Sequence, residues 1–167
     1  GNLAKAGEFW RQVFQADKTD VEARRALLVA YEAGGKWKEY AEVLKLEVEA
    51  IPDDDVDAKL AGLRRLVATV AAHLRQDALV VQLYKQILDL APGDAEASEV
   101  LAKKYESMRR WPDLIALLEA QAANADEDER LDIAVRIAKI YDEKVRNQAE
   151  AIKAYEAVLD ADPSHQD

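Results

Sequence analysis

Two stretches of the chain repeat one pattern, and their spacing limits what the chain can fold into. Tyr31-Glu-Ala-Gly-Gly-Lys-Trp37 is followed by KEYAEVL, and Tyr105-Glu-Ser-Met-Arg-Arg-Trp111 by PDLIALL. Both the tyrosines and the tryptophans are 74 residues apart. A fixed interval of this kind marks an internal repeat, and a finer one lies inside it. AGEFWRQVFQADKTD from Ala6, VVQLYKQILDLAPGD from Val80 and AIKAYEAVLDADPSH from Ala151 align without gaps. Each carries a small or aliphatic residue, an aromatic four later and an aliphatic three after that: Ala6/Trp10/Val13, Val80/Tyr84/Ile87 and Ala151/Tyr155/Val158. Steps of four and three place the trio on one face of a helix. A second set, Leu27-Leu28-x-x-Tyr31, Leu101-Ala102-x-x-Tyr105 and Ile137-Ala138-x-x-Tyr141, has a degenerate copy at Leu66-Val67-x-x-Val70. Its steps of 39, 35 and 36 residues define a unit of about 36 residues.

The boundaries keep the same register. Asp20, Asp55, Asp94 and Asp128 each precede an apolar periodic run, where a cap or a first-turn acid belongs. Pro112 sits near a helix start, where a missing N–H costs nothing. Pro52, Pro92 and Pro163 fall where units end, and Gly34-Gly35 permits a tight reversal. The pattern predicts helices near 3–16, 20–33, 37–51, 56–74, 77–91, 95–109, 112–124, 128–144 and 148–161. Loops this short join antiparallel neighbours. Only 6 glycines and 4 prolines in 167 residues, with a third of the chain charged, fit an all-helical protein.

These residues resemble the tetratricopeptide repeat family, whose 34-residue unit is a helix–turn–helix. With Tyr31 at the family's position eleven, Pro52 falls on position thirty-two. Counting back from Pro92 and Pro163 puts Val80 and Ala151 on position twenty and Tyr84 and Tyr155 on twenty-four. The chain departs from the pattern where Arg24 replaces a first-helix tryptophan, and where Tyr40 and Leu114 replace alanine. The resemblance implies one all-α domain: a right-handed solenoid of antiparallel helix pairs with about nine helices. It would consist of a half repeat at 3–19 and repeats near 20–54, 55–93, 94–127 and 128–163, as a fragment of a longer array. A HEAT-like solenoid is the competing class.

Chemistry is sparse. There is no cysteine, so neither disulfides nor thiolate metal sites can form. The two histidines, His73 and His165, are far apart, and His73 suits the negative end of a helix dipole. Asp53, Asp55 and Asp57 alternate as in a calcium loop, but Ala58 and Arg64 stand where that loop needs glycine and glutamate. No nucleotide, metallohydrolase or nucleophile-elbow motif is present. The expectation is no enzyme and no cofactor. A net charge of −10 disfavours nucleic acid, and no apolar run reaches membrane-spanning length. The compartment is left open: absent cysteine fits the cytoplasm, and the periplasm is open if a targeting segment has been removed.

In the family, first helices line a concave groove, at positions six before, two before and one after each tyrosine. Here the resemblance implies Arg25, Val29 and Glu32; Arg64, Ala68 and Ala71; Glu99, Lys103 and Glu106; and Val135, Lys139 and Asp142. The groove would be basic near Arg25 and Arg64 and more acidic further on. Asn2, Asn124 and Asn147 are the only asparagines, and none lies in a first helix. The carboxylate clamp that some family members use is therefore not expected. The function implied is a non-catalytic scaffold that holds a peptide or protein. The alternative is an accessory segment positioning another domain of an enzyme or assembly machine. Phe9, Trp10 and Phe14 in the opening helix imply either a fragment of a longer array or ends covered by self-association. Trp37 and Trp111 are expected to close their hairpins as apolar staples.

Overall fold

The computed structural model describes residues 2–161. Among them every regular element is helical: α1 (Asn2–Ala16), α2 (Val21–Ala33), α3 (Trp37–Glu49), α4 (Val56–His73), α5 (Asp77–Leu90), α6 (Ala95–Ser107), α7 (Trp111–Ala122), α8 (Glu127–Lys139) and α9 (Gln148–Ala161). A π-helical segment, Ile140–Val145, follows α8. The fold is all-α and made of successive antiparallel helix pairs, as the periodicity predicts. Pro163 and the residues after it lie outside the described residues.

The chain divides into two compact units, Gly1–Leu90 and Ala91–Asp167. In the first, α1 to α5 each pack on the next helix along the chain. Leu27 and Leu28 of α2, Val43 and Leu44 of α3, Leu66, Val67 and Val70 of α4, and Leu83 and Ile87 of α5 are buried there. In the second, α6 to α9 pack in the same serial way, with the π segment against α7 and α9. Leu101 and Tyr105, Leu114 and Leu118, Ala138 and Ile140, and Ala151 and Val158 form its interior. The buried sets recur at steps of three and four, which is why each helix hides one stripe.

The first helix of each pair starts at an aspartate. The side chains of Asp20, Asp55 and Asp94 accept the N–H of Ala23, Ala58 and Ala97 at 2.9, 3.1 and 2.8 Å. At α8 the cap is Asp126, which accepts from Glu129 N–H at 2.9 Å, while Asp128 lies in the first turn. Both are acids, so sequence alone could not separate the cap from its neighbour.

The turns inside the pairs share one device. Gly35, Arg75, Arg109 and Arg146 all adopt left-handed backbone, with φ of 63°, 47°, 54° and 57°. After Gly35 the Lys36 N–H donates to the Tyr31 carbonyl at 2.8 Å; after Arg109 the Arg110 N–H donates to that of Tyr105, also at 2.8 Å. After Arg146 the Asn147 N–H donates to Tyr141 at 3.0 Å, one residue further along. The helix predicted over 128–144 is corrected here: α geometry stops at Lys139, and Ile140–Val145 is π-helical.

Candidate functional site

In the first unit, the predicted groove residues stand opposite the buried stripe. Arg25 and Glu32 of α2 and Arg64, Ala68 and Ala71 of α4 are exposed, and Val29 is 62% exposed. Burial of Ala23, Leu27 and Leu28 beneath α2, and of Leu63, Leu66, Val67 and Val70 beneath α4, turns these side chains outward. The result on each helix is an apolar or small patch beside an arginine.

Arg65, next to Arg64, has a different task. Its guanidinium donates to the Tyr40 hydroxyl at 2.6 Å, lies 5.5 Å from the centre of that ring, and sits 3.8 Å from Glu47. This accounts for tyrosine at a position where the family pattern has alanine: Tyr40 is buried and ties α3 to α4. Trp37 departs from its expected role as a staple within its own hairpin. It stacks on His73, at the end of α4, with ring centres 3.7 Å apart and planes at 4°, and meets Tyr40 edge-on at 5.7 Å. His73 therefore has a ring partner beyond the helix-dipole role expected for it.

The second unit presents a face of different character. Glu99, Lys103, Glu106, Lys139 and Asp142 are exposed and Val135 is half-buried. Lys103 pairs with Glu99, and that hydrogen bond holds the Glu99 carboxyl below its usual range. Arg136 of α8 donates to Glu106 of α6 at 2.7 Å, linking two first-type helices. The structure thus joins Glu99 to Lys103 and Glu106 to Arg136. Among the described residues no ion pair involves Arg25, Lys139 or Asp142. Arg136 was missed because its partner is 30 residues away; only its place one turn from Lys139 hinted at it.

Sequence reasoning also missed two cavities on the second-helix side. One, of about 240 Å3, lies between α3 and α5 above α4; Ala41, Val48, Leu66, Leu79 and Leu83 line it, with Lys38 at its rim. The other, of about 260 Å3, lies between α7 and the π segment, lined by Pro112, Ile115, Ala116, Tyr141 and Val145. Pro112, Ile115 and Ala116 follow Lys38, Ala41 and Glu42 by the same 74 residues as the tyrosine–tryptophan pairs. Among the described residues no cluster of His, Asp or Glu could hold a metal ion. No described helix is long and apolar enough to cross a membrane.

No family model and no curated protein matches the chain. Several solved structures are similar to it. One is YrrB, described as a TPR protein with an unusual peptide-binding site, at 15% identity and a TM-score of 0.46 over 98% of this chain and 80% of that one. Another is MamA protein, at 20% identity and a TM-score of 0.46 over 98% and 84%. A third is a MamA fragment from Desulfovibrio magneticus RS-1, at 16% identity and a TM-score of 0.44 over 100% and 89%. In residue pattern and in the construction of its helical hairpins, the chain resembles tetratricopeptide repeat proteins.

Proposed function

We propose that this chain is a non-catalytic interaction scaffold, and that the first-helix face of its first unit takes a peptide or protein segment. The observation that carries this reading is the exposed set Arg25, Val29, Arg64 and Ala68, which offers cationic groups beside apolar surface on a chain of net charge −10. A segment bearing carboxylates and one or two apolar side chains suits such a face: charge orients it and apolar contact holds it.

The test is binding to a displayed peptide library enriched in Asp, Glu and apolar residues. Arg25→Glu with Arg64→Glu is expected to weaken the selected peptides at least tenfold. Lys38→Glu with Lys85→Glu, an equal charge change on second helices, is expected to leave binding within twofold. Equal losses in both variants overturn the assignment.

Self-association through the first and last described helices is a further part of the proposal. Phe9 of α1 is 59% exposed, although its counterparts Val43 and Leu83 are buried. On α9, Ile152 is 56% exposed where Ala41 is buried. Sedimentation over a wide concentration range is expected to show association that Phe9→Ser and Ile152→Ser abolish; a monomer throughout removes this part alone.

A further inference from the structure

The two units contain one eleven-residue span in two conformations. Val70–Val80 and Tyr141–Ala151 are equal in length and run between equivalent points. Arg75 and Arg146 take the left-handed turn in both. The carbonyls that follow, those of Gln76 and Asn147, accept the N–H of Val80 and Ala151 at 3.0 and 2.9 Å, so α5 and α9 start in the same register. Between these points the paths differ. α4 stays α-helical to His73, and the Leu74 N–H donates to the Val70 carbonyl at 3.0 Å. Its counterpart over Ile140–Val145 is π-helical. π-helix is rare, and its wider turn is a departure that needs a cause.

Chain length is not that cause, because the spans are equal. The two spans differ at most of their positions, and one of these differences carries a contact to the preceding second helix. His73 lies flat on Trp37, the first residue of the preceding second helix. The counterpart of Trp37 is Trp111, likewise the first residue of α7. The counterpart of His73 is Lys144, which pairs with its neighbour Glu143 at 3.2 Å and has no ring to offer. Among the described ring contacts Trp111 has no stacked partner.

We infer that the indole–imidazole stack selects the α form of this hairpin end, and that the end relaxes to the π form where the stack is missing. The span is a two-state element set by the residue at position 73 or 144. A flat ring on the indole fixes the last helical turn in register with the neighbouring hairpin. Without it, the last turn widens to the π form. The setting reaches the first-helix face, since Asp142 lies in the segment, and passing from α to π turns Asp142 and Glu143 about the helix axis. This inference stands whether or not that face binds a peptide.

Lys144→His and His73→Lys, each in the full chain, test it. The readout is scalar coupling across backbone hydrogen bonds, with amide hydrogen exchange. In Lys144→His the Val145 N–H is expected to couple to the Tyr141 carbonyl, as Leu74 does to Val70 in the native chain. Exchange at Val145 should slow about twofold to tenfold, the range of one aromatic stacking contact. In His73→Lys the Leu74–Val70 coupling should vanish, while His73→Phe, which keeps a ring, should retain it. A π pattern surviving in Lys144→His, or an α pattern surviving in His73→Lys, overturns the inference. Loss of the coupling in His73→Phe also overturns it.

Discussion

Arginine in a left-handed turn gives a test of the hairpin construction with a definite sign. Arg109 has φ of 54° and joins α6 to α7. Its N–H donates to Glu106 at 3.0 Å, and the next N–H donates to Tyr105 at 2.8 Å. Gly35 closes the α2–α3 turn with the same bonds, to Glu32 at 3.1 Å and Tyr31 at 2.8 Å. A side chain in this backbone region costs about 1–2 kcal/mol, from the clash of Cβ with the following carbonyl. Glycine removes that strain but adds freedom to the unfolded chain, which returns about 0.4–1 kcal/mol. Arg109 is exposed, and no described contact holds its guanidinium, so little else changes with the substitution. Arg109→Gly is therefore expected to stabilise the second unit by about 0.5–1 kcal/mol. Gly35→Ala should destabilise the first unit by a similar amount. Urea unfolding followed by tryptophan emission separates the two, because Trp37 reports on one unit and Trp111 on the other once the remaining tryptophans are replaced by phenylalanine. The expected result is opposite shifts in midpoint with unchanged m-values. A destabilised Arg109→Gly, or a neutral Gly35→Ala, would refute the reasoning, because the turn would then not be fixed by left-handed backbone.

Other consequences can be checked in the same way. A Cβ on Gly62, in α4, would lie 2.8 Å from Cγ2 of Val48, a stiff and buried side chain. The propensity gain of about 1 kcal/mol for Gly62→Ala should be outweighed by overpacking of about 1–3 kcal/mol. Combining it with Val48→Ala should recover part of the loss in a double-mutant cycle; strict additivity would contradict the contact. Asp126→Ala should cost about 1 kcal/mol as the loss of a cap, and Asp128→Ala a few tenths, by thermal unfolding; the reverse order would return the cap to Asp128. Asp17 accepts the Thr19 hydroxyl at 2.6 Å and its N–H at 2.8 Å, which lowers its carboxyl below the usual range. The stability it gives is present above the unfolded carboxylate value and is lost as pH falls through the lower, folded one. In an NMR titration Thr19→Val should move the Asp17 midpoint upward; no movement would exclude the hydroxyl as the main cause.

Much of the fold was legible because its signals are local. Apolar spacing of three and four, aspartates before each first helix, and Gly34-Gly35 at a reversal all act within one or two turns of chain. What was not legible depends on residues distant in sequence. Tyr40 looked like a departure from pattern, and only its hydrogen bond to Arg65, 25 residues on, explains it. The Trp37–His73 stack joins the start of one helix to the end of the next, so neither residue announces the other. The π segment reads DEKV where the end of α4 and its cap read AAHL; the two alanines favour α-helix, and the stack of His73 on Trp37 adds a contact from a neighbour that neither string announces. On the first-helix faces, sequence placed Arg25, Val29, Arg64 and Ala68 in the open. It could not foresee that Glu106 is held by Arg136 across 30 residues. The cavities beside α3 and α7 were invisible for the same reason: their walls come from three helices in one case, and from a helix and the π segment in the other.

The central claim is that the first-helix face of the first unit, and not the second-helix side, takes the partner. The most direct measurement is an amide NMR titration of the 15N-labelled chain with an acidic–apolar peptide selected from the library. The account predicts saturable shift changes centred on Arg25, Val29, Arg64 and Ala68, with little at Val48, Leu79 and Leu83. Changes centred on the cavity between α3 and α5, or no saturable changes on α2 and α4, would contradict it.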